Sequence, residues 1–254
     1  MIDPLFSKNM HLHTERKGSY FPKNSINEIS QRYNFAIKYC DRQNILEIGP
    51  GTGFGSRNII QRSKKYKCIE YSKENCDEFQ KNYPDVEIIN NDFITANLSD
   101  EKFECIISMA NIYYFDFSQF LSKCNEHLNV GGSLIFCTTN VSHASFSKAP
   151  FTTKYYKLSE MQELLNNNNF NAEFYGAFKS IVNRKKNQNK FTTLVKSIIP
   201  RQIIKFLKII TKKNIILGEL DPKRNLYDTP EMFRINNDTE AKEYVVLYCI
   251  AKKA

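Results

Sequence analysis

Leu46-Glu47-Ile48-Gly49-Pro50-Gly51-Thr52-Gly53 is the stretch on which the reading of this chain turns. An apolar run over 44–48 ends in a turn with three glycines, and a helical pattern over 54–63 follows. Glycines permit positive φ and let a ligand come close to the backbone. In an open parallel sheet, ligands bind beyond the carboxyl ends of the strands, which places a ligand over this turn. The dinucleotide fingerprint G-x-G-x-x-G fails, because Phe54 stands where its third glycine belongs. No Gly-Lys-Ser/Thr follows, so a P-loop is excluded. The spacing is instead E-x-G-x-G-x-G, with Glu47 two residues before the first glycine. A carboxylate there repels a pyrophosphate and suits an ammonium group.

Outward from this turn the pattern is rhythmic. Ile26, Ile29, Tyr33, Ala36, Ile37 and Cys40 recur at helical spacing, predicting a helix over 26–40. Further strands are predicted over 66–71, 86–89, 103–109, 133–138, 172–178 and 244–251. Helices are predicted over 72–82, 116–128 and 159–166, the last stopped by four asparagines, Asn166 to Asn169. Alternation of strand and helix through Thr138 implies βαβ units and a parallel sheet with helices on both faces. A chain of 254 residues, 41% hydrophobic, suits one α/β domain with a sizeable core.

Several classes are excluded or disfavoured. No run of 18 apolar residues exists, so no transmembrane helix is expected. Residues 1–10 are mixed, unlike a secretory signal, and a cytoplasmic location is expected. The chain has seven cysteines, and Cys68, Cys105, Cys137 and Cys249 fall in strand patterns, where they read as small core hydrophobes. There is no C-x-x-C, and His11, His13, His127 and His143 have no partner at ligand spacing, so no structural metal is expected. His127 falls near a helix C-terminus, where a dipole contact accounts for it.

The net charge of +9 is localised. Residues 181–219 carry ten basic residues and one acid, Glu219, which is the whole excess; the remainder is neutral. Within that stretch Ile199, Ile203, Phe206, Leu207 and Ile210 recur at helical spacing, with Arg201, Lys205, Lys208 and Lys212 on the opposite stripe and Pro200 at the first turn. This predicts a basic amphipathic helix suited to an anionic substrate or the anionic face of a membrane. RNA ranks lower, because aromatic residues are few there and the body of the chain is not basic.

With these residues in place, the sequence resembles the class I S-adenosylmethionine-dependent methyltransferases. The glycine turn matches, and Glu70 ends the second strand, 17 residues after Gly53. Asn91-Asp92-Phe93 follows the third strand, and Leu128-Asn129-Val130-Gly131-Gly132 looks like the family's L-K-P-G-G turn. The resemblance covers about 32–178 and the last strand. It implies a Rossmann-like seven-stranded sheet whose last two strands pair antiparallel, with S-adenosyl-L-methionine as cofactor. It further implies that Gly49, Pro50, Gly51 and Gly53 admit the cofactor and that Glu47 meets its methionyl end. Glu70, with Tyr71, would take the ribose hydroxyls; Asn91, Asp92 and the Phe93 backbone would take the adenine; Met109 would complete the site. The expected organisation is a single domain: a flap (1–31), a cofactor-binding core (32–178), a basic helical insertion (179–242) and a final strand (243–254).

The acceptor is narrowed by what is missing. No D/N-P-P-Y follows the fourth strand, where the chain reads Asn111-Ile112-Tyr113-Tyr114, so exocyclic-amine methylation is disfavoured. No cysteine follows a proline, and no glutamate pair marks this loop. Thr14-Glu15-Arg16, Arg32 to Ala36, Gly53 to Ser56, Thr138-Thr139-Asn140 and Tyr155 to Glu160 are similar to a bacterial subgroup found with capsule and O-antigen genes. That resemblance implies O-methylation of a sugar hydroxyl or phosphate-type group on a surface-glycan precursor. An RNA methyltransferase and a non-catalytic subunit of the same fold are the alternatives. The subgroup's Glu-His is Tyr113-Tyr114 here, and its Asn-Pro-Phe-His is Ala149-Pro150-Phe151-Thr152, so no base is carried over. Tyr114 and His143 are the candidates at the reacting centre. His13, Arg16, Tyr20 and Asn111 are the candidates for substrate contact.

Overall fold

The computed structural model describes residues 20–179, 217–219 and 231–254. Chain order runs β1 (Tyr20–Pro22), α1 (Lys23–Ile37), β2 (Asn44–Ile48), α2 (Arg57–Arg62), β3 (Lys65–Glu70), α3 (Lys73–Asn82), β4 (Glu87–Asn90) and β5 (Phe103–Met109). A 3-10 turn (Ile112–Tyr114), α4 (Phe117–His127), β6 (Leu128–Thr139), α5 (Leu158–Asn167) and β7 (Phe170–Lys179) follow. The last described elements are β8 (Leu217–Glu219), β9 (Phe233–Ile235), α6 (Asp238–Ala241) and β10 (Tyr244–Lys253).

The main sheet has the order β4-β3-β2-β5-β6-β10-β7-β9. The first five strands are parallel, and β10 runs antiparallel to both β6 and β7. This is the expected seven-stranded arrangement with one addition: β9 pairs antiparallel with β7 at the edge, Phe174 opposite Ile235. A three-residue strand carries too little period-2 signal to be read from sequence. β1 and β8 form a separate two-stranded ribbon, Tyr20 opposite Glu219. Helix α1 runs unbroken through residue 31, where the sequence reading places the end of the flap. The predicted basic helix lies outside the described residues. Among the described residues no helix is long and apolar enough to cross a membrane.

Strand alternation assigns each side chain to a face. Leu46 and Ile48 of β2 join Phe117, Phe120 and Leu121 of α4 and Leu158 and Met161 of α5 in one core. Ile45 of the same strand joins Tyr33, Phe35 and Ala36 of α1, Ile59 of α2 and Phe79 of α3 in the other. Both faces being covered, β2 is buried along nearly its whole length, as a central parallel strand must be. Helix starts follow local chemistry: Ser72 accepts from the Asn75 N–H, and Asp116 from the Gln119 N–H. Helix α5 ends among the asparagines, with Asn169 in the left-handed region (φ 60°). All seven cysteines are free and buried. The parallel register sets Ile48 beside Ile69 and Ser108, and Glu70 beside Asn90, so four strand ends finish level.

Candidate functional site

Above those level ends lies a cavity of about 230 Å³. Its floor is the glycine turn. Gly49, Gly51 and Gly53 have φ of 65°, 61° and 79°, the left-handed region that L side chains rarely adopt. At Gly49 a Cβ would overlap the Asn111 amide, whose Nδ2 donates to the Ile48 carbonyl at 2.5 Å. Asn111 also accepts from the Ser108 hydroxyl, so the end of β5 is locked against the turn. The next residue back, Ala110, holds φ 59°, an unusual conformation for a non-glycine and one that clusters at working sites.

Glu70 closes the floor from β3. Its Oε2 accepts from the Gly51 N–H at 2.9 Å, and its Oε1 from the Ser72 N–H at 2.8 Å and the Asn75 side chain at 3.4 Å. Burial raises its pKa and the backbone donors act against that rise. After β4, Asn91 accepts the Asp92 N–H and Asp92 accepts the Ile94 N–H, each at 2.8 Å, which folds this segment into a tight turn. The Phe93 ring sits in the core, 5.5 Å from the Phe120 ring, so the backbone is what Phe93 offers to a ligand.

The cavity brings together most of the residues singled out from sequence: Gly49, Pro50, Gly51, Glu70, Tyr71, Asn91, Asp92, Phe93, Met109, Asn111 and Tyr114 all line it. Three others stand elsewhere. Glu47 is fully buried on the α1–α3 face, with Oε1 accepting from the Tyr33 hydroxyl at 3.0 Å and Oε2 from the Tyr66 hydroxyl at 2.6 Å. Period-2 alternation turns it away from the cavity, which corrects the expectation that it meets a methionyl ammonium. Gly53 faces α3, where a Cβ would press on the Phe79 and Tyr83 rings.

His143 is the third. It is buried outside the lining, with Nδ1 accepting from the Ser145 N–H at 3.1 Å, and burial lowers its pKa. Asn140 fixes the base of this loop through the Ala241 and Tyr244 carbonyls at 2.7 and 2.8 Å, and His143 folds back over it. His143 therefore does not occupy the place of a base at the cavity. His13 and Arg16 lie outside the described residues, and Tyr20 heads the β1 ribbon. His127 ends α4, buried, with Nδ1 3.0 Å from the Glu101 carbonyl.

Sequence reasoning missed one wall. Helix α1 contributes Ile29, Arg32 and Tyr33 to the lining, beside Phe54 and Gly55. The signal for it was the stretch Arg32 to Ala36, which follows Ile29 at helical spacing. Arg32 lies near Tyr113, whose pKa burial pushes well up while the guanidinium acts against the rise. Tyr113 stacks on Tyr155 at 4.7 Å, and the Thr153 N–H donates to the Tyr113 carbonyl at 2.8 Å, tying the 140–157 loop to the rim.

This donor set fits the cofactor the resemblance implies. The glycine turn lies under the cavity, and a buried carboxylate stands at the end of β3 for a diol that replaces its long Asn75 contact. Asp92 and the Phe93 backbone follow β4 for a purine edge. Among the described residues no cluster of His, Cys, Asp or Glu side chains is arranged to hold a metal ion.

Comparison with known proteins agrees. Residues 46–136 match a family model described as a methyltransferase domain. The chain is 26% identical over 159 residues to ribosomal RNA small subunit methyltransferase A of Mycoplasmopsis synoviae, covering 58% of this chain and 60% of that protein. It is 27% identical over 150 residues to a probable S-adenosylmethionine-dependent methyltransferase of Mycolicibacterium smegmatis, covering 54% and 58%. The chain thus spans about three fifths of the length of these relatives. A solved SAM-dependent methyltransferase of Thermotoga maritima shares the fold, with TM-score 0.59 and 13% identity over 91% of this chain and 89% of that one. Residues 46–136 are therefore similar to a methyltransferase domain, on the fold that S-adenosylmethionine-dependent methyltransferases share, and S-adenosyl-L-methionine is the cofactor this likeness implies.

Proposed function

We propose that this protein O-methylates an anionic sugar derivative, at a hydroxyl or phosphate-type oxygen of a surface-glycan precursor. The observation that carries the reading is the character of the lining around the end of β5. Arg32, with Glu28 one turn back on its helix, lies near Tyr113 there and shares the lining with Tyr114, whereas the acids of the described lining, Glu70 and Asp92, belong to the ends of β3 and β4. A cation attracts a phosphate group, and tyrosines present flat apolar faces with a hydroxyl, which suits a sugar ring.

The cofactor supplies an electrophilic methyl group. When it is bound, Gly49 and Gly51 would admit it to the backbone, Glu70 would accept from its ribose hydroxyls in place of the long Asn75 contact, and Asp92 and the Phe93 N–H would orient its adenine. Arg32 and Tyr114 hold the acceptor so that its oxygen attacks opposite sulfur. The C–O bond forms as C–S breaks, and the electron pair leaves on sulfur. Alignment supplies most of the acceleration. An anionic oxygen has no proton to lose, and a hydroxyl passes its proton to solvent, which accords with a described lining free of histidine. A precursor assembled at the inner face of a membrane would bring the basic 181–219 stretch against anionic lipid.

A second reading, methylation of RNA, is favoured by the name of the Mycoplasmopsis synoviae relative and by the same basic stretch. The test is transfer of labelled methyl from S-adenosyl-L-methionine to sugar nucleotides, lipid-linked glycans or total RNA. Label in the sugar compounds is expected. Label in RNA alone, with binding that weakens steeply as salt rises, overturns the first reading for the second.

A further inference from the structure

We propose that Tyr33 is a positioning residue for the cofactor site: by donating to Glu47 beneath the glycine turn, it holds helix α1 in place as a wall of the cavity. The proposal rests on the cofactor reading above.

Helix α1 supplies Ile29, Arg32 and Tyr33 to the lining. Among the described residues its first half has little apolar anchorage, a small cluster of Ile26 and Ile29 against Phe54, separate from both main cores. Phe35 and Ala36 anchor its second half in a main core, and Tyr33, in the same core, adds a polar tie where the helix borders the cavity. Its hydroxyl donates to Glu47 Oε1 at 3.0 Å, and Glu47 is 0% exposed with its second oxygen held by Tyr66 at 2.6 Å. A hydrogen bond to a buried carboxylate is among the stronger ones available, and its loss leaves charge poorly satisfied. Gly55 makes the contact possible, because a Cβ there would overlap the Tyr33 ring. The ring thus packs against Gly55, just past the turn that the cofactor must approach, with its hydroxyl on Glu47. The same carboxylate that the sequence suggests for a ligand serves to lock the wall.

Tyr66 provides the internal control. It donates to the same carboxylate but belongs to β3 and does not line the cavity. The experiment measures binding of S-adenosylhomocysteine by calorimetry, alongside thermal melting, on the full chain. Tyr33→Phe is expected to weaken binding about tenfold, one charge-assisted hydrogen bond's worth. Tyr66→Phe is expected to lower the melting temperature comparably yet bind within about twofold of wild type. Gly55→Ala, which displaces the ring and so breaks its contact with Glu47 while keeping both side chains, is expected to follow Tyr33→Phe, and decides the matter should Tyr33→Phe not fold. Binding unchanged in Tyr33→Phe or in Gly55→Ala overturns the proposal, as does a Tyr66→Phe loss equal to that of Tyr33→Phe. A wild-type chain that binds neither S-adenosyl-L-methionine nor S-adenosylhomocysteine is a different result, and removes the cofactor reading with it.

Discussion

Replacing Glu70 by alanine empties the point where the glycine turn, β3 and α3 meet. The carboxylate accepts from Gly51 and Ser72 N–H groups at 2.9 and 2.8 Å and from Asn75 at 3.4 Å. Three backbone donors, those of Gly51, Ser72 and Tyr71, are left in a site where Glu70 itself is 3% exposed. Each unsatisfied buried donor costs about 1–3 kcal/mol, and relief of the carboxylate's own burial offsets part of that. A net destabilisation of about 2–3 kcal/mol follows. Bound cofactor loses its ribose acceptor as well, about 1.5–3 kcal/mol, or a factor of roughly 10–150 in Kd. Calorimetric titration with S-adenosylhomocysteine, at a temperature where circular dichroism shows the variant folded, reads the second quantity. Urea denaturation reads the first. Glu70→Gln keeps one neutral acceptor and is expected to fall between wild type and Glu70→Ala in both. A folded Glu70→Ala that binds within twofold of wild type would falsify the placement of the ribose at the end of β3.

Three further predictions concern the turn, the acceptor side and pH. Gly49→Ala is expected to lose about 1–3 kcal/mol by denaturation, from its φ of 65° and the clash with Asn111; Gly131→Ala, at φ 74° but with nothing within 4 Å, bears the backbone strain alone and loses less. Arg32→Ala is expected to raise the acceptor KM about tenfold while leaving the cofactor KM within twofold in initial-rate kinetics; the reverse pattern would move Arg32 to the cofactor. Glu47 has a folded pKa raised, first by burial, above its ordinary value. The folded state then binds more protons between the ordinary and raised values, so this group's contribution falls as pH climbs through that window. Melting curves across that range are expected to show the fall in wild type and a flatter profile in Glu47→Gln; parallel profiles would sink the assignment.

What the sequence disclosed, and what it withheld, follows the range of each interaction. The glycine turn, Glu70 and the Asn91-Asp92-Phe93 turn were legible because their chemistry is local: each sits at a strand end whose apolar run marks it. The fate of Glu47 was not, although alternation along Leu46-Glu47-Ile48 already set it on a different face from its neighbours. What receives it there, Tyr33 and Tyr66, lies 14 and 19 residues away. Helix α1 was predicted and its role as a wall was missed, since helical spacing gives a buried face and not its partner. His143 was placed in the correct loop, but the loop's shape depends on Asn140 reaching carbonyls more than 100 residues distant. β9 is too short to announce itself.

The position of β10 sets an order on biosynthesis. It lies between β6 and β7 and is hydrogen-bonded to both along most of its length. Among the described residues, the strands that pair with β7 are β10 and β9, each of which leaves the ribosome after it. While the chain is being translated, residues 170–179 must therefore wait for a strand partner until about seventy more residues have emerged. The half of the sheet under the glycine turn can close early, whereas the other half closes last and at long range, which is the slow and aggregation-exposed step of such a fold.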